Sequence, residues 1–383
     1  MLKEEKKVEY LELIYDLIFV YVIGRNSSLL RELQNGFVPL QMFLAYALCS
    51  LAVIQIWNYS TFYINMFGRN KLRDHIALFL NMYLLYYIGE GTRVHWQSFQ
   101  TQYHVAWALI LINTGVQYFL ERRNHAGDPA AQSVCSRMMI PLFGEAAIVL
   151  LGLLFGQNAA PLFAAAAILF GIVATWSLSD RSKESRVDFT HLTERAMLYV
   201  VFTFGEMIIA IASYFEGGFT PSSVYFSLMC FLIVVALFLC YGILYDRIID
   251  RERNTTGMAY MMLHIFLIFG MNCITTSLEF MREEEVALWP KTLFLIGSFL
   301  LYYLCLFALQ SRYSKPDLGL CRRVTMPVGI LTVAFLVLML LLREYPRLNI
   351  FVSVVYGFAM FLELYLYSRP NACPIPQQGS ERS

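Results

Sequence analysis

Charged side chains are scarce in this chain of 383 residues. Asp, Glu, Lys and Arg make up 15% of it, whereas a soluble domain contains about 25%. Apolar residues make up 58%, so the chain cannot cover itself with polar side chains, and a soluble globular fold is excluded. The net charge is only +1, from 29 Lys+Arg and 28 Asp+Glu. This balance gives no electrostatic basis for binding nucleic acid.

Patterns that indicate a cofactor, a metal or an enzymatic reaction are also missing. The sequence has no P-loop, GxSxG, HExxH or Rossmann fingerprint. Its eight cysteines form no CxxC pair, and we interpret them as small hydrophobic residues within apolar runs. We therefore predict no enzymatic activity, no catalytic residues, no cofactor and no metal site.

What the chain has in abundance is long apolar runs. A bilayer core about 30 Å thick needs about 20 apolar residues per helix, and twelve runs of about this length can be delimited. They lie near Leu11–Leu30, Pro39–Ser60, His75–Thr92, Tyr103–Leu120, Met138–Gly156, Pro161–Leu178, Ala196–Tyr214, Ser222–Leu244, Met258–Phe280, Trp289–Leu309, Val324–Leu342 and Ile350–Leu366. Pro39, Pro161, Pro221 and Pro290 fall at predicted helix starts, where a missing N–H costs least.

The connecting segments predict the orientation. With twelve crossings, Lys and Arg are about three times as frequent on the side of the N-terminus as on the other side. The positive-inside rule then places both termini in the cytoplasm of a multi-pass cell-membrane protein, with the lipid bilayer as its main partner.

The two halves of the sequence resemble each other at an offset of 182 residues. The segment 35–39 aligns with 217–221, and the same shift matches Glu12 with Glu194. Because six crossings preserve orientation, we predict an all-α polytopic fold of about 12 transmembrane helices in two parallel six-helix repeats. The predicted parts are a cytoplasmic segment 1–9, repeats 10–186 and 187–369, and a cytoplasmic tail 370–383.

Ionisable residues inside apolar runs are the candidate functional residues, because a charge in lipid is expensive. Glu206 lies twelve residues beyond Glu194, so about 18 Å deeper. Two interpretations stay open for Glu206: a proton carrier, or a neutral carboxyl that joins two helices. The other candidates are Glu12 and Asp16, which are one turn apart, His191 and Glu194, likewise one turn apart, Glu145, and His264.

A purely structural role is an alternative interpretation for several of these residues and their neighbours. Glu12 and Asp16 suit an interfacial pair as well as a functional site. For His264 we favour a neutral ring bonded to a backbone carbonyl. Tyr59 and Tyr63, one turn apart, favour an interfacial aromatic belt over a cavity wall.

Several of these residues belong to segments that resemble one known family. The segment Val8–Val20 resembles the opening motif of the bacterial low temperature requirement A family. The segment His191–Arg195, followed by Gly205 and Glu206, is similar to that family's second motif. Weaker similarity covers the stretch Trp57–Gly68, and His264 before Gly270. At Arg25 and Asn26 the sequence departs from the smaller or uncharged polar residues expected there.

The resemblance implies a polytopic cell-membrane protein, linked by name to growth in the cold and without an established activity. Carried over residue by residue, it adds Arg195 to the candidates, and we hypothesise that Arg195 pairs with Glu12. We predict a proton-coupled secondary transporter of an unknown small solute, with buried carboxylates between the halves. The alternative is a non-transporting sensor or scaffold for cold adaptation, whose buried acids serve only helix packing. The oligomeric state is not predicted.

Overall fold

The computed structural model describes residues 8–30, 33–94, 96–156, 159–177, 187–216, 218–318 and 322–369. Apart from short connections, these residues are helical. The predicted tail 370–383 lies outside them, as does the predicted segment 1–9 up to residue 7. The α-helices are α1 Tyr10–Asn26, α2 Leu40–Phe67, α3 Leu72–Val94, α4 Trp96–Asn124, α5 Pro129–Leu154, α6 Ala160–Ser177, α7 Phe189–Ala212, α8 Pro221–Ile243, α9 Met258–Arg282, α10 Leu288–Tyr313, α11 Arg322–Leu341 and α12 Pro346–Tyr367.

Each of the twelve predicted runs falls on one of these helices. In the described part of the chain, ten helices are long and apolar enough to cross a membrane; α3 and α4 do not meet that measure. Both are long enough, at 23 and 29 residues, but polar and charged residues at their ends and along one face lower their hydropathy. Their crossing of the bilayer stays a prediction.

Helix starts follow from local chemistry. Pro39 directly precedes α2, and Pro221 is the first residue of α8. The Thr220 hydroxyl accepts the backbone N–H of Ser223, which forms a capping box. The Asp188 carboxylate accepts the backbone N–H of His191 and so caps α7. This cap fixes where the second candidate motif begins.

One compact unit contains Met1–Glu206 and Arg251–Asn272. In this unit α3 packs against α1 and α4, α5 packs against α4 and α6, and α2 contacts α1, α4 and α6. Residues 52–65 of α2 are buried on every face, which identifies α2 as the core helix of the unit. All eight candidate residues belong to this unit.

A second compact unit contains Met207–Asp250 and Cys273–Ser383. Within it α12 packs against α8 and α11. An aromatic cluster fills its core, with the rings of Phe335 and Tyr356 stacked at 4.2 Å and Tyr303 edge-on to Tyr356. The six cysteines that the structure describes are buried, which agrees with their interpretation as core residues.

The order of elements is similar in the two predicted halves. A 3₁₀ turn, Ser27–Leu30, separates α1 from α2, and another, Ser213–Phe215, separates α7 from α8. The two parallel repeats and their boundaries stay predictions.

Candidate functional site

The centre of the candidate site is an arginine that bridges two carboxylates. Arg195 Nη1 donates to Glu12 Oε2 at 2.9 Å, and Arg195 Nη2 donates to Asp16 Oδ1. Glu12 and Asp16 are four residues apart on α1 and therefore share one face, so a single guanidinium on α7 reaches both. Arg195 and Asp16 have no solvent exposure, and Glu12 retains 4%. The hypothesised pairing of Arg195 with Glu12 is confirmed. Glu12 and Asp16 are buried in the protein, and their position at the membrane interface stays a prediction.

Two further side chains complete this arrangement. Trp57 on α2 donates its indole N–H to Asp16 Oδ1 at 2.8 Å. On the other flank, His191 Nε2 lies 3.4 Å from Glu12 Oε2. We call Glu12, Asp16, His191 and Arg195 the charge cluster.

Asn65 fixes the orientation of the His191 ring. Its Oδ1 accepts the backbone N–H of Asp188 at 3.0 Å, and its Nδ2 donates to the Asp188 carbonyl at 2.8 Å. The same Nδ2 lies 3.0 Å from His191 Nδ1, so Nδ1 is the acceptor. The proton of a neutral ring then sits on Nε2, facing Glu12.

The charge cluster contains two carboxyl groups, one guanidinium and one imidazole. Two carboxylates share one guanidinium, so with both carboxylates ionised and the ring neutral the cluster carries one unit of negative charge. Among the described residues, Asp16 Oδ2, Arg195 Nε and His191 Nε2 have no hydrogen-bond partner although all three atoms are buried. A buried cluster of this composition can take up one proton and become electrically neutral.

A cavity of about 250 Å³ adjoins the cluster at the ends of α1, α2 and α3. Glu12 lines this cavity and also contacts Arg195, so it belongs to both. Glu9 and Asn70 on the cavity wall are exposed, which shows that the cavity opens at the surface of the unit. We call it the α1–α3 cavity.

The opposite wall of the α1–α3 cavity carries a polar network around Asp74. Tyr63 Oη donates to Asp74 Oδ1 at 3.2 Å, and Arg73 pairs with both Asp74 and Glu121. Tyr63 is 2% exposed. The aromatic-belt interpretation of Tyr63 is therefore wrong, because its phenol is engaged inside the unit.

Glu145 forms a separate buried cluster. Its Oε2 accepts hydrogen bonds from Tyr59 Oη at 2.9 Å and from Gln55 Nε2 at 3.2 Å. A Cβ at Gly171 on α6 would overlap all three side chains, so this glycine makes room for them. The belt interpretation is wrong for Tyr59 as well, which is 1% exposed.

Glu206 lies away from the charge cluster, against α1. A Cβ at Gly24 would collide with its carboxyl group, and the positive charge of Arg25 acts on it. Arg25 itself lies 4.0 Å from Glu90. Glu206 is thus half-buried beside one basic residue, Arg25, which is itself close to Glu90.

The two remaining candidates do not join either cluster. His264 on α9 is fully buried, and its Nδ1 lies 2.8 Å from the Tyr260 carbonyl, which confirms the predicted backbone bond. Glu194 is half-exposed and forms no hydrogen bond or ion pair with any described residue. Within the described ranges, no group of three or more His, Cys, Asp or Glu side chains is arranged to hold a metal ion.

The fold and the buried charges define a class of protein. In the described part of the chain, ten helices suited to spanning a bilayer enclose polar side chains that are hydrogen-bonded to one another, as in polytopic helical membrane proteins. The family model of the bacterial low temperature requirement A protein (LtrA) matches residues 7–360, and the chain belongs to this family. The predicted family is thereby confirmed. No curated protein matches the chain.

Proposed function

We propose that this protein is a proton-coupled secondary transporter of a small solute, in which the charge cluster carries the proton. The observation that supports this proposal is the position of Glu12. Its carboxyl group is bonded to Arg195 and lies 3.4 Å from His191, and Glu12 also lines the α1–α3 cavity. A proton that enters through the cavity therefore reaches the cluster directly.

Uptake of that proton changes the bonds within the cluster. When Glu12 is protonated, Arg195 loses one of its two ionic partners and keeps Asp16 alone. The attraction that holds α1 to α7 then weakens by one charge–charge interaction, in a setting of low dielectric where such interactions are strong. This change couples the proton to the relative position of two helices.

Glu206 provides a second proton-binding residue along the same pair of helices. It is eleven residues beyond Arg195 on α7, about 16 Å along the helix axis. The hydroxyl of Tyr199 lies between them, buried and without a hydrogen-bond partner among the described residues. Ionisable residues within membrane helices typically mark ion or substrate pathways.

The proposed setting is the cell membrane, with both termini in the cytoplasm, as the distribution of Lys and Arg favours. Two parallel six-helix repeats are a recurrent plan of transporters, with binding sites near mid-membrane. This part of the proposal rests on architecture by analogy.

The test measures solute-driven proton movement in liposomes. Purified protein is reconstituted with a pH-sensitive dye inside, and solutes of each charge class are added outside. We expect at least one solute to change the internal pH, and Asp16→Asn to abolish this change. The matched control is Glu344→Gln, which neutralises an acid 66% exposed in the second unit, and it should behave as wild type. Solute uptake that needs no pH gradient and is unaltered by Asp16→Asn would contradict the proposal.

The second candidate function is a non-transporting scaffold or sensor. Complete burial of Asp16 and Arg195, with Trp57 bonded to the same carboxylate, suits a cluster that only joins helices. In that case the Asp16→Asn variant loses stability in detergent, and no solute moves protons in the wild-type protein.

A further inference from the structure

The α1–α3 cavity contains a polar side chain that forms no hydrogen bond with the described residues. The Gln117 side chain on α4 lines it and is 5% exposed, yet its amide forms no hydrogen bond with any described residue. Its amide is accessible within the cavity, because it is not among the fully buried atoms that lack a partner. The Gln117 amide lies against open space inside the unit, where a ligand can supply the missing partner.

The charge around the cavity is negative. Three carboxylates and one guanidinium line it directly, those of Glu9, Glu12, Asp74 and Arg69. The side chains paired to these add two acids, Asp16 and Glu121, and two bases, Arg73 and Arg195. Apart from histidines, acids thus exceed bases by five to three. An anion is disfavoured by this field and a cation is favoured.

Arg69, the arginine that lines the cavity, already contacts a side chain outside it. Arg69 Nη2 lies 2.9 Å from His125 Nε2, which is outside the cavity lining. Of the two glutamates that line the cavity, Glu9 is exposed and Glu12 is buried. Leu11, Ile64 and Leu78 add apolar surface to the same lining.

We propose that the α1–α3 cavity binds a small organic cation that carries a primary ammonium group, and that this cation is the solute of the proposed transporter. An ammonium group has three N–H donors and no acceptor, which suits the carboxylates of Glu9 and Glu12 and the Gln117 amide oxygen. The Asp74 carboxylate already accepts bonds from Tyr63, Arg73 and two backbone N–H groups and contributes only its charge. A short aliphatic chain fits the apolar surface of the same lining. This inference rests on the proposed function for its role in transport, whereas the binding site stands on the cavity itself.

Glu12 then links the solute to the proton. Glu12 lines the cavity, is bonded to Arg195 and lies 3.4 Å from His191. A bound cation and a bound proton both neutralise Glu12, so each disfavours the other at this residue. Such mutual exclusion is a basis for exchange of one for the other across a membrane.

The test is calorimetric titration of the purified full-length protein with three probes that share a four-carbon chain. Putrescine carries two primary ammonium groups, succinate two carboxylates, and butane-1,4-bis(trimethylammonium) two cations without N–H donors. We expect putrescine to bind, succinate not to bind, and the methylated cation to bind at least about tenfold more weakly, because it makes no hydrogen bonds.

Two variants locate the binding. Gln117→Met keeps the side-chain volume and should weaken putrescine binding about tenfold or more, whereas Gln102→Met, at an exposed position on the same helix, should leave it unchanged. If Gln117→Met does not fold, Glu9→Gln at an exposed position of the lining serves instead and should weaken binding about threefold or more by removing one charge. Absence of putrescine binding, equal binding of succinate, or wild-type affinity in the folded variant would overturn the proposal.

The outcome separates this inference from the proposed function. Putrescine binding with the expected pattern, but without proton movement in liposomes, keeps the binding site and removes the transporter. Proton movement driven by another solute, without any putrescine binding, keeps the transporter and removes the ammonium substrate.

Discussion

Arg195 on α7 and Asp16 on α1 form an ion pair in which neither side chain has any solvent exposure. Removing two charges from water is costly, and their attraction offsets that cost only if further hydrogen bonds satisfy both groups. Trp57 and Glu12 supply such bonds, one to the carboxylate and one to the guanidinium. Asp16 Oδ2 and Arg195 Nε stay without a hydrogen-bond partner among the described residues, so the cluster depends on its ionic contacts, and the removal of one member leaves the others uncompensated.

Replacing Arg195 is expected to destabilise the protein strongly. Arg195→Gln leaves two buried carboxylates without a counter-charge, and we expect the free energy of unfolding to fall by about 3–5 kcal/mol. Unfolding by SDS in mixed micelles measures this change. The control is Arg343→Gln, since Arg343 lies 3.8 Å from Glu344 in an exposed pair, whose loss costs at most about 1 kcal/mol. Equal effects of the two substitutions would show that the buried pair contributes no more than a surface one.

The indole of Trp57 should contribute more than a buried polar group that has no partner. Trp57→Phe removes a hydrogen bond to a charged carboxylate, worth about 1.5–3 kcal/mol. Tyr199 is as fully buried as Trp57, but its hydroxyl has no hydrogen-bond partner among the described residues. Tyr199→Phe therefore removes a polar group without breaking a bond and should not destabilise the protein. We expect the first variant to unfold at a clearly lower SDS fraction than the second, and the opposite order would contradict the assigned bond.

Much of this arrangement is predictable from sequence because charge in an apolar run is conspicuous. The twelve helices follow from run length, and Glu12, Asp16 and Glu145 stand out as acids within those runs. The partner of Glu12 also follows, since Arg195 lies in the second motif. These signals need no knowledge of how the helices pack.

Neutral side chains carry no such signal. Trp57, Asn65 and Gln55 hydrogen-bond the buried acids or the ring of His191, yet in the sequence they read as ordinary residues of an apolar helix. The only hint is that Trp57 and Asn65 fall in one family-like stretch. Tyr59 and Tyr63 were assigned to an aromatic belt because helical spacing cannot tell a lipid-facing phenol from one that faces a carboxylate.

Gly171 is expected to tolerate no larger residue. A Cβ there would lie 2.5 Å from Tyr59 Oη and would also overlap Glu145 and Gln55, so Gly171→Ala should reduce the free energy of unfolding by about 1–3 kcal/mol through overpacking. Gly205, inside α7, has no atom within 4 Å of the same position. Gly205→Ala should be neutral or stabilising by up to about 1 kcal/mol, because alanine favours the helix. SDS unfolding of both variants decides the point, and a Gly171→Ala variant as stable as wild type would mean that α6 can shift away from the cluster.

The final prediction concerns the two acids of α7. Glu206 is half-buried against Gly24 with the charge of Arg25 acting on it, whereas Glu194 has no partner among the described residues. If protons pass along α1 and α7, Glu206→Gln removes a proton-binding residue and should abolish solute-driven proton movement in liposomes. Glu194→Gln should leave that movement within about twofold of wild type.

Both variants keep the size of the side chain and remove one ionisable group, so a general effect of lost charge would impair them equally. Their stabilities in detergent are measured in parallel, because a carboxyl that only joins helices would lower stability without affecting proton movement. Proton movement at the wild-type rate in Glu206→Gln would confine the pathway to the charge cluster. Loss of proton movement in Glu194→Gln alone would instead place the second proton-binding residue at the start of α7, one turn beyond His191.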